Sequence, residues 1–398
     1  MFNLCNIWSM NDINLNKELN VVYIGPDTFP LGAATTKRRR YMVDYMNSKE
    51  IQSHVLVTRS AKLDKENDID GQYGLCDYHN ISHLFHSSYF SYLKAGKRWL
   101  RQWRDDRKKN ILIFPTILDV VDYPFFSYAK KLGYKIVFDQ VETSYRAKGT
   151  RTSLKRELHV FMNELIAQRA YNNCDGSFVI SEALRIQNEK KYPKMNLGLL
   201  PNSTPILRKE KKVTFNTIPR ILYAGTYAQK DGVVYLIKAF LKVISDGYNC
   251  KLILTGKGRD CDMKVLNLVE GNPNVEYLGR VSDERLNEVL LSSDILTMTR
   301  ENSRFANCGF PFKLSEYLAT GNVVLATKVS DVGIYLKHLE NAYLVEPENI
   351  DQIASGIEYL ISNQNKAVEM GEKGLDVAKL SFGIDNVGHK FVNFLQSI

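Results

Sequence analysis

The string from Asn307 to Thr327, NCGFPFKLSEYLATGNVVLAT, sets a cation and a carboxylate three residues apart behind a Gly/Pro loop. Cys308-Gly309-Phe310-Pro311 reads as a loop that runs into a short amphipathic helix carrying Lys313 and Glu316; Gly321 stops the helix, and the apolar strand Val323–Ala326 follows. A helix N-terminus offers unbonded backbone N–H groups and a partial positive charge, so the amides near Phe310, Pro311 and Phe312 form an anion site to which Lys313 adds a full charge. Glu316, one turn further on, is an acceptor suited to the two hydroxyls of a ribose. Cation, amides and carboxylate at this spacing suit a nucleoside diphosphate. The plainer reading of the same residues is a solvated Lys–Glu pair on an ordinary loop–helix–strand unit.

These groups need elements to hold them. A chain of 398 residues is long enough for two domains with cores of their own, and 44% hydrophobic with 24% charged residues excludes a disordered chain. No apolar run reaches the ~18–20 residues that span a bilayer. Residues 1–18 lack the basic start and apolar core of a secretory signal and read as a polar lead-in. Six scattered cysteines without paired spacing indicate reduced thiols in a cytoplasmic protein, with neither a disulfide framework nor a zinc site.

Strands are predicted at Val21–Ile24, His54–Thr58, Ile111–Phe114, Lys135–Asp139 and Ser177–Ile180, with helices between them that include Lys37–Lys49 and Ser153–Asn172. The second half repeats the scheme, with strands at Ile221–Gly225, Lys251–Gly256, Val275–Leu278, Asp294–Met298, Val323–Ala326 and Ala342–Val345 and helices at Val233–Ser245 and Asp283–Ser292. Such alternation implies an α/β chain of parallel sheets with helices on both faces. A polar stretch over 203–219, containing Ser203, Thr204, Pro205, the RKEKK run and Pro219, marks the boundary. Ligands of open α/β sheets bind outside the carboxyl ends of the strands, so two such domains would gather their loops at a cleft.

Gly32 and Ala33 follow the first strand and precede a helix, where small residues let backbone amides approach a phosphate or sugar; the alternative is a tight turn that needs glycine for packing. Glu142, just beyond a strand, is a candidate acid/base on the acceptor side, although a carboxylate there as often caps a helix. Lys94–Lys109, KAGKRWLRQWRDDRKK, read as one helix, sets Trp99 and Trp103 a turn apart among Arg98 and Arg101. A basic helix with paired tryptophans fits anionic lipid headgroups; the alternative buries the tryptophans and leaves the charges solvated. The net charge of +9 lies wholly in residues 1–200, which points that half toward an anionic membrane surface or a phosphate-bearing acceptor. Nucleic acid fits poorly, because no binding motif accompanies the charge.

Pro311, Lys313, Glu316, Tyr317, Leu318 and Gly321, in that order, resemble the nucleotide-sugar segment of GT-B glycosyltransferases, in particular the retaining family 4 of group 1 type. The resemblance covers roughly residues 20–395, specifically in the second half and loosely in the first. It implies the GT-B fold of two Rossmann-like domains facing across a cleft: 1–205 on the acceptor side, 206–380 binding the nucleotide-sugar, and a helix at 381–398 crossing back to the first domain. It implies a hexosyltransferase-type enzyme moving a sugar, with retention, from a nucleotide-diphosphate donor to a hydroxyl of a glycan or lipid-linked acceptor. No cofactor and no metal are expected. The place of work would be cytoplasmic, peripheral at the inner membrane face. An inverting transferase or epimerase on UDP-sugars, or a non-catalytic nucleotide-sugar binder, are the alternatives.

By the same resemblance Lys230 and Lys313 hold the diphosphate, with Gly225 and Thr226 in the first loop of the second half. Glu316 binds the ribose, Gly256 and Arg280 shape the base pocket, and Gly32 and Ala33 touch the donor. Two departures stand out. Thr226 occupies a place where relatives have a basic residue, and Cys308 one where many have a sugar-reading Glu. Glu301 or Arg304 is expected to take over that contact.

Overall fold

The computed structural model describes residues 18–59, 70–115, 120–142, 154–208, 210, 214–256 and 266–398. They form two compact units. One runs to Leu200 and includes Val387–Ile398; the other is Pro201–Asn386.

Eight strands build the first unit: β1 (Leu19–Gly25), β2 (Gln52–Val57), β3 (Gly71–Tyr73), β4 (Cys76–Asn80), β5 (Lys109–Pro115), β6 (Lys135–Gln140), β7 (Gly176–Val179) and β8 (Leu197–Leu199). They lie in the order β3-β4-β2-β1-β5-β6-β7-β8, all parallel except for the β3–β4 pairing at one edge. Helices α1 (Ala34–Ser48), α2 (Ser82–Ser87), α3 (Tyr89–Gln102), α4 (Tyr123–Lys131), α5 (Leu154–Asn172) and α6 (Glu182–Lys191) connect them. The strand β1 is buried along its whole length, as its apolar run requires of a strand at the centre of a sheet. On one side Tyr92, Leu100 and Phe125 pack with Leu112, Phe114 and Phe138 in a continuous core. Since β1 pairs with both β2 and β5, the sheet reverses its direction of growth there.

The basic tryptophan segment departs from its expected form. The helix α3 ends at Gln102, Trp103 is its C-cap, and Lys109 already belongs to β5. Trp103 is 6% exposed and stacks on the buried His54 at 4.7 Å. Half-buried Trp99 stacks on His79 at 3.6 Å and carries Arg98 over its ring at 5.0 Å. Arg101 donates to the Tyr128 hydroxyl at 3.0 Å. The indoles are part of the core packing, so Trp103 is not available to a lipid surface and the docking role assigned to it is corrected. The reason is local: the chain must turn from α3 into β5, and an indole fills that corner.

The second unit has six parallel strands, β9 (Arg220–Ala224), β10 (Lys251–Thr255), β11 (Val275–Gly279), β12 (Ile295–Met298), β13 (Val323–Thr327) and β14 (Tyr343–Val345), in the order β11-β10-β9-β12-β13-β14. Its helices are α7 (Val233–Ser245), α8 (Asp283–Ser292), α9 (Arg304–Cys308), α10 (Phe312–Leu318), α11 (Val332–Tyr335), α12 (Ile350–Ser362) and α13 (Gln364–Val377). The apolar faces of α7 (Leu236, Ile237, Phe240) and α12 (Ile353, Ile357, Leu360) meet β9 and β10 in one core. Here the direction reverses between β9 and β12, which places a ligand crevice at their carboxyl ends.

The polar stretch after residue 200 is not a free linker at its start. Leu207 N–H donates to the Ala319 carbonyl at 3.1 Å. Arg208 donates to the carbonyls of Thr320 and Leu291 and to Asn322, closing the C-terminal end of α10. The last helix, α14 (Ile384–Ser397), ends in the first unit, where Phe391 stacks on Phe178 at 5.1 Å and Gly388 lies close against Tyr45.

Candidate functional site

The site grows from the carboxyl ends of β9 and β12. Beyond β9 the chain passes through Gly225 and Thr226 into a 3-10 turn, Gln229–Asp231, and then into α7. Gly232 caps α7 in the left-handed region (φ 64°) without a side-chain cap, and a Cβ there would meet the Thr299 carbonyl oxygen at 1.8 Å. Only glycine satisfies both the turn and the approach of the β12 end. The first amides of a 13-residue helix therefore open beside Asp231.

Lys313 enters this place from α10. Its ammonium donates to the Tyr223 hydroxyl at 2.8 Å, pairs with Asp231 Oδ1 at 3.4 Å and sits 4.2 Å from the Tyr223 ring centroid. A Cβ on Gly225 would lie 2.6 Å from that ammonium, so the glycine makes room for it. The Lys313 side chain is 14% exposed. Burial lowers its pKa to about 8, against the opposing pull of Asp231. Tyr317, next to Glu316 on α10, donates its hydroxyl to the Ala224 carbonyl and accepts from the Ala224 N–H, which pins α10 to the end of β9.

Two residues that the sequence reading left aside organise the cluster. Asp231 is 4% exposed, accepts from Thr226 Oγ1 at 2.8 Å and lies 4.0 Å from Arg300 Nε. Arg300 follows β12, is 7% exposed, and is anchored by its carbonyl, which accepts from Thr327 Oγ1 at 2.9 Å. Thr226, at a position where relatives carry a basic residue, thus serves as a donor to Asp231. A carboxylate just before the helix-starting glycine and an arginine at a strand's carboxyl end were the available signals.

The remaining expected residues are distributed around this centre. Lys230, half-buried in the 3-10 turn, is close enough to Lys313 to lower its pKa further, and its carbonyl accepts the Glu301 N–H at 3.1 Å. The Glu301 carboxyl hydrogen-bonds Tyr235 and Gln229, and burial with neighbouring Glu348 raises its pKa. Arg304 opens α9, but its side chain lies outside the described residues. Cys308 ends α9 rather than lying in a loop, and is buried. Pro311 is the N-cap of α10; Phe310 stacks on Phe382 and Phe312 is half-buried, so Phe310 packs with its ring and leaves its backbone for other partners. Glu316 is half-buried on α10. The loops after β10 and β11 nest beside Gly225: a Cβ on Gly256 would strike the Gly225 carbonyl, Gly256 N–H donates to Gly279 at 2.8 Å, and Arg280 is exposed beyond it. Lys257 and Gly258 lie outside the described residues.

In the first unit Gly32 and Ala33 are exposed ahead of α1, where Thr28 and Thr36 hydroxyls close the turn. A small crevice of about 40 Å³ opens by the ends of β1, β5 and β6, lined among others by Tyr23, Asp27, Arg38, Arg39 and Asp139. Arg38 binds Asp139 through two nitrogens, so the carboxylate at that strand end is committed to structure. Glu142 is half-buried three residues later.

Residues 207–377 match the family described as Glycosyl transferases group 1. An uncharacterized glycosyltransferase of Haemophilus influenzae is 23% identical over 222 residues, 55% of this chain and 60% of that protein, so the match spans less than two thirds of that relative's length. The lipopolysaccharide 1,2-N-acetylglucosaminetransferase of Salmonella typhimurium is 21% identical over 91% of this chain and 93% of its own. Among solved structures, Anabaena Alr3699/HepE in complex with UDP superposes with a TM-score of 0.69 at 12% identity, covering 95% of this chain and all of that one.

Proposed function

We propose that the protein, whose residues 207–377 match the group 1 glycosyl transferases and whose chain has the GT-B fold, transfers a sugar from a nucleotide-diphosphate donor to an acceptor hydroxyl, with retention. The observation that carries the reading is the Lys313 ammonium, buried over Gly225 and fixed by Asp231 and Tyr223 at the open start of α7. A buried, fixed cation beside helix amides is what a leaving diphosphate needs as negative charge builds on it.

In this reaction the bond between the anomeric carbon and the phosphate oxygen breaks. Lys313, Lys230 and the α7 amides take up the charge on the leaving group, and Glu316 holds the ribose. The acceptor hydroxyl attacks the anomeric carbon, and its proton passes to the leaving phosphate, so no protein base and no metal is required. The UDP-bound Anabaena protein makes UDP the first nucleotide to test, and the Salmonella relative points to an acceptor in lipopolysaccharide-like glycan assembly.

The first unit would work peripherally at an anionic membrane face. Its excess charge supports this, as does an exposed apolar stripe on α5 of Leu158, Phe161, Met162 and Leu165. Among the described residues no helix is long and apolar enough to cross a membrane.

A calorimetric screen of UDP-, GDP- and ADP-sugars tests donor binding, and the anomeric configuration of the product, read by NMR, tests retention. Lys313→Ala and Glu316→Ala should each abolish donor turnover. Unimpaired transfer in both would remove the proposed site.

A further inference from the structure

Arg300 is a buried cation with unmet hydrogen-bonding capacity. Its side chain is 8% exposed, and Nε and Nη1 are both buried without a hydrogen-bond partner among the described residues. The nearest carboxylate oxygen, Asp231 Oδ1, is 4.0 Å from Nε, too far for a hydrogen bond, and the same oxygen is 3.4 Å from the Lys313 ammonium. One buried carboxylate is thus shared by two buried cations, with a net charge of +1. Leaving guanidinium nitrogens dry and unbonded is costly, and a fold retains that cost where the group has a ligand to meet.

We propose that Arg300 is a further phosphate-binding cation of this chain, acting with Lys313 and Lys230 on the diphosphate, and that Asp231 is the positioning residue holding Arg300 and Lys313 until the phosphates replace it as their partner. This rests on the donor reading above and adds to it a rearranged set of cations. Besides Lys230, the loop after β9 supplies a neutral Thr226 and a carboxylate, Asp231, while two more cations come from the end of β12 and from α10. The geometry suits a ligand with two adjacent anionic groups: both cations lie within 4.0 Å of one oxygen atom, and a planar guanidinium can bind a phosphate through two nitrogens. Burial lowers the Arg300 pKa as it does that of Lys313, but an arginine stays charged at any working pH, so its contribution does not titrate.

The test is titration calorimetry of the full chain with UDP, UMP and uridine, repeated with the guanine and adenine series, for the wild type, Arg300→Gln, Arg300→Lys and the exposed control Lys238→Ala. Arg300→Gln should weaken the diphosphate about 10- to 100-fold and leave the nucleoside unchanged. Arg300→Lys should recover part of the loss, and Lys238→Ala should lose nothing. If Arg300→Gln fails to fold, the Arg300→Lys ratio of diphosphate to nucleoside affinity decides alone. Equal diphosphate affinity in wild type and variants overturns the inference, as does a loss equal for diphosphate and nucleoside. If the wild type binds no nucleoside diphosphate, the donor reading itself fails.

Discussion

Lys313 makes donor recognition pH-dependent, and the sign follows from its surroundings. Its pKa is lowered to about 8, chiefly by burial. The charged form holds the diphosphate, so kcat/KM for the donor should fall as pH rises through about 8, whereas in Lys313→Arg that alkaline limb should vanish because a guanidinium does not titrate there. Asp231 pulls the same pKa upward. In Asp231→Asn the limb should therefore move to lower pH, and a loss of activity without that movement would mean that Asp231 acts only on folding. Binding at pH 8 to 9 should take up protons, which calorimetry in buffers of different ionisation heat will register.

At the scale of elements, the turn between β9 and α7 and the helix α5 make opposite demands. Gly232→Ala forces a Cβ against the Thr299 carbonyl at a left-handed position, and should cost more than ~1 kcal/mol in the unfolding free energy of the second unit. Phe161→Asp on α5 changes an exposed residue; it should weaken sedimentation with anionic vesicles while leaving the melting temperature unchanged, and undiminished vesicle binding would count against the membrane role. Trp103→Ala, by contrast, should unfold before it reports on lipid, with a loss of about 3 to 5 kcal/mol. The central strands β1, β5, β6, β9, β10, β12 and β13 were legible because apolar runs at the centre of a parallel sheet have no other use. The edge strands β3 and β8, and β4 beside β3, were not: Gly71–Tyr73, Cys76–Asn80 and Leu197–Leu199 are short, partly exposed, and carry glycine or polar residues. The Lys313 place in the site could be read from its helix-start position. Asp231 and Arg300 could not, since their meaning lies in a contact between two loops about 70 residues apart.

The whole molecule consists of two units whose stabilities are separately measurable. Trp99 and Trp103 pack in the core of the first unit and no tryptophan follows residue 200, so the change in indole emission on unfolding reports on Trp99 and Trp103 in that unit. His54 is buried against Trp103 and its pKa is lowered to about 4, mainly by burial. Below about 6.5 the unfolded chain takes a proton that the folded one refuses, so this histidine favours folding at neutral pH and the gain is lost as pH falls from 6.5 to 4, by roughly 3 kcal/mol. His54→Phe should flatten that acid dependence in denaturant titrations followed by indole emission. Phe391→Ala, in the returning helix, should lower the first unit's unfolding free energy by about 3 to 5 kcal/mol while hydrogen exchange in Pro201–Asn386 stays as it was.

That returning helix also sets an order of events during synthesis. Tyr23 and Phe178 are covered by Phe391, and Gly198 is covered by Phe394. A ribosome must therefore translate the entire second unit before the first can be closed. At ordinary elongation rates the nascent sheet waits roughly 10 to 40 s with that apolar strip uncovered. The growing chain should accordingly be a client of ribosome-associated chaperones until its final helix emerges.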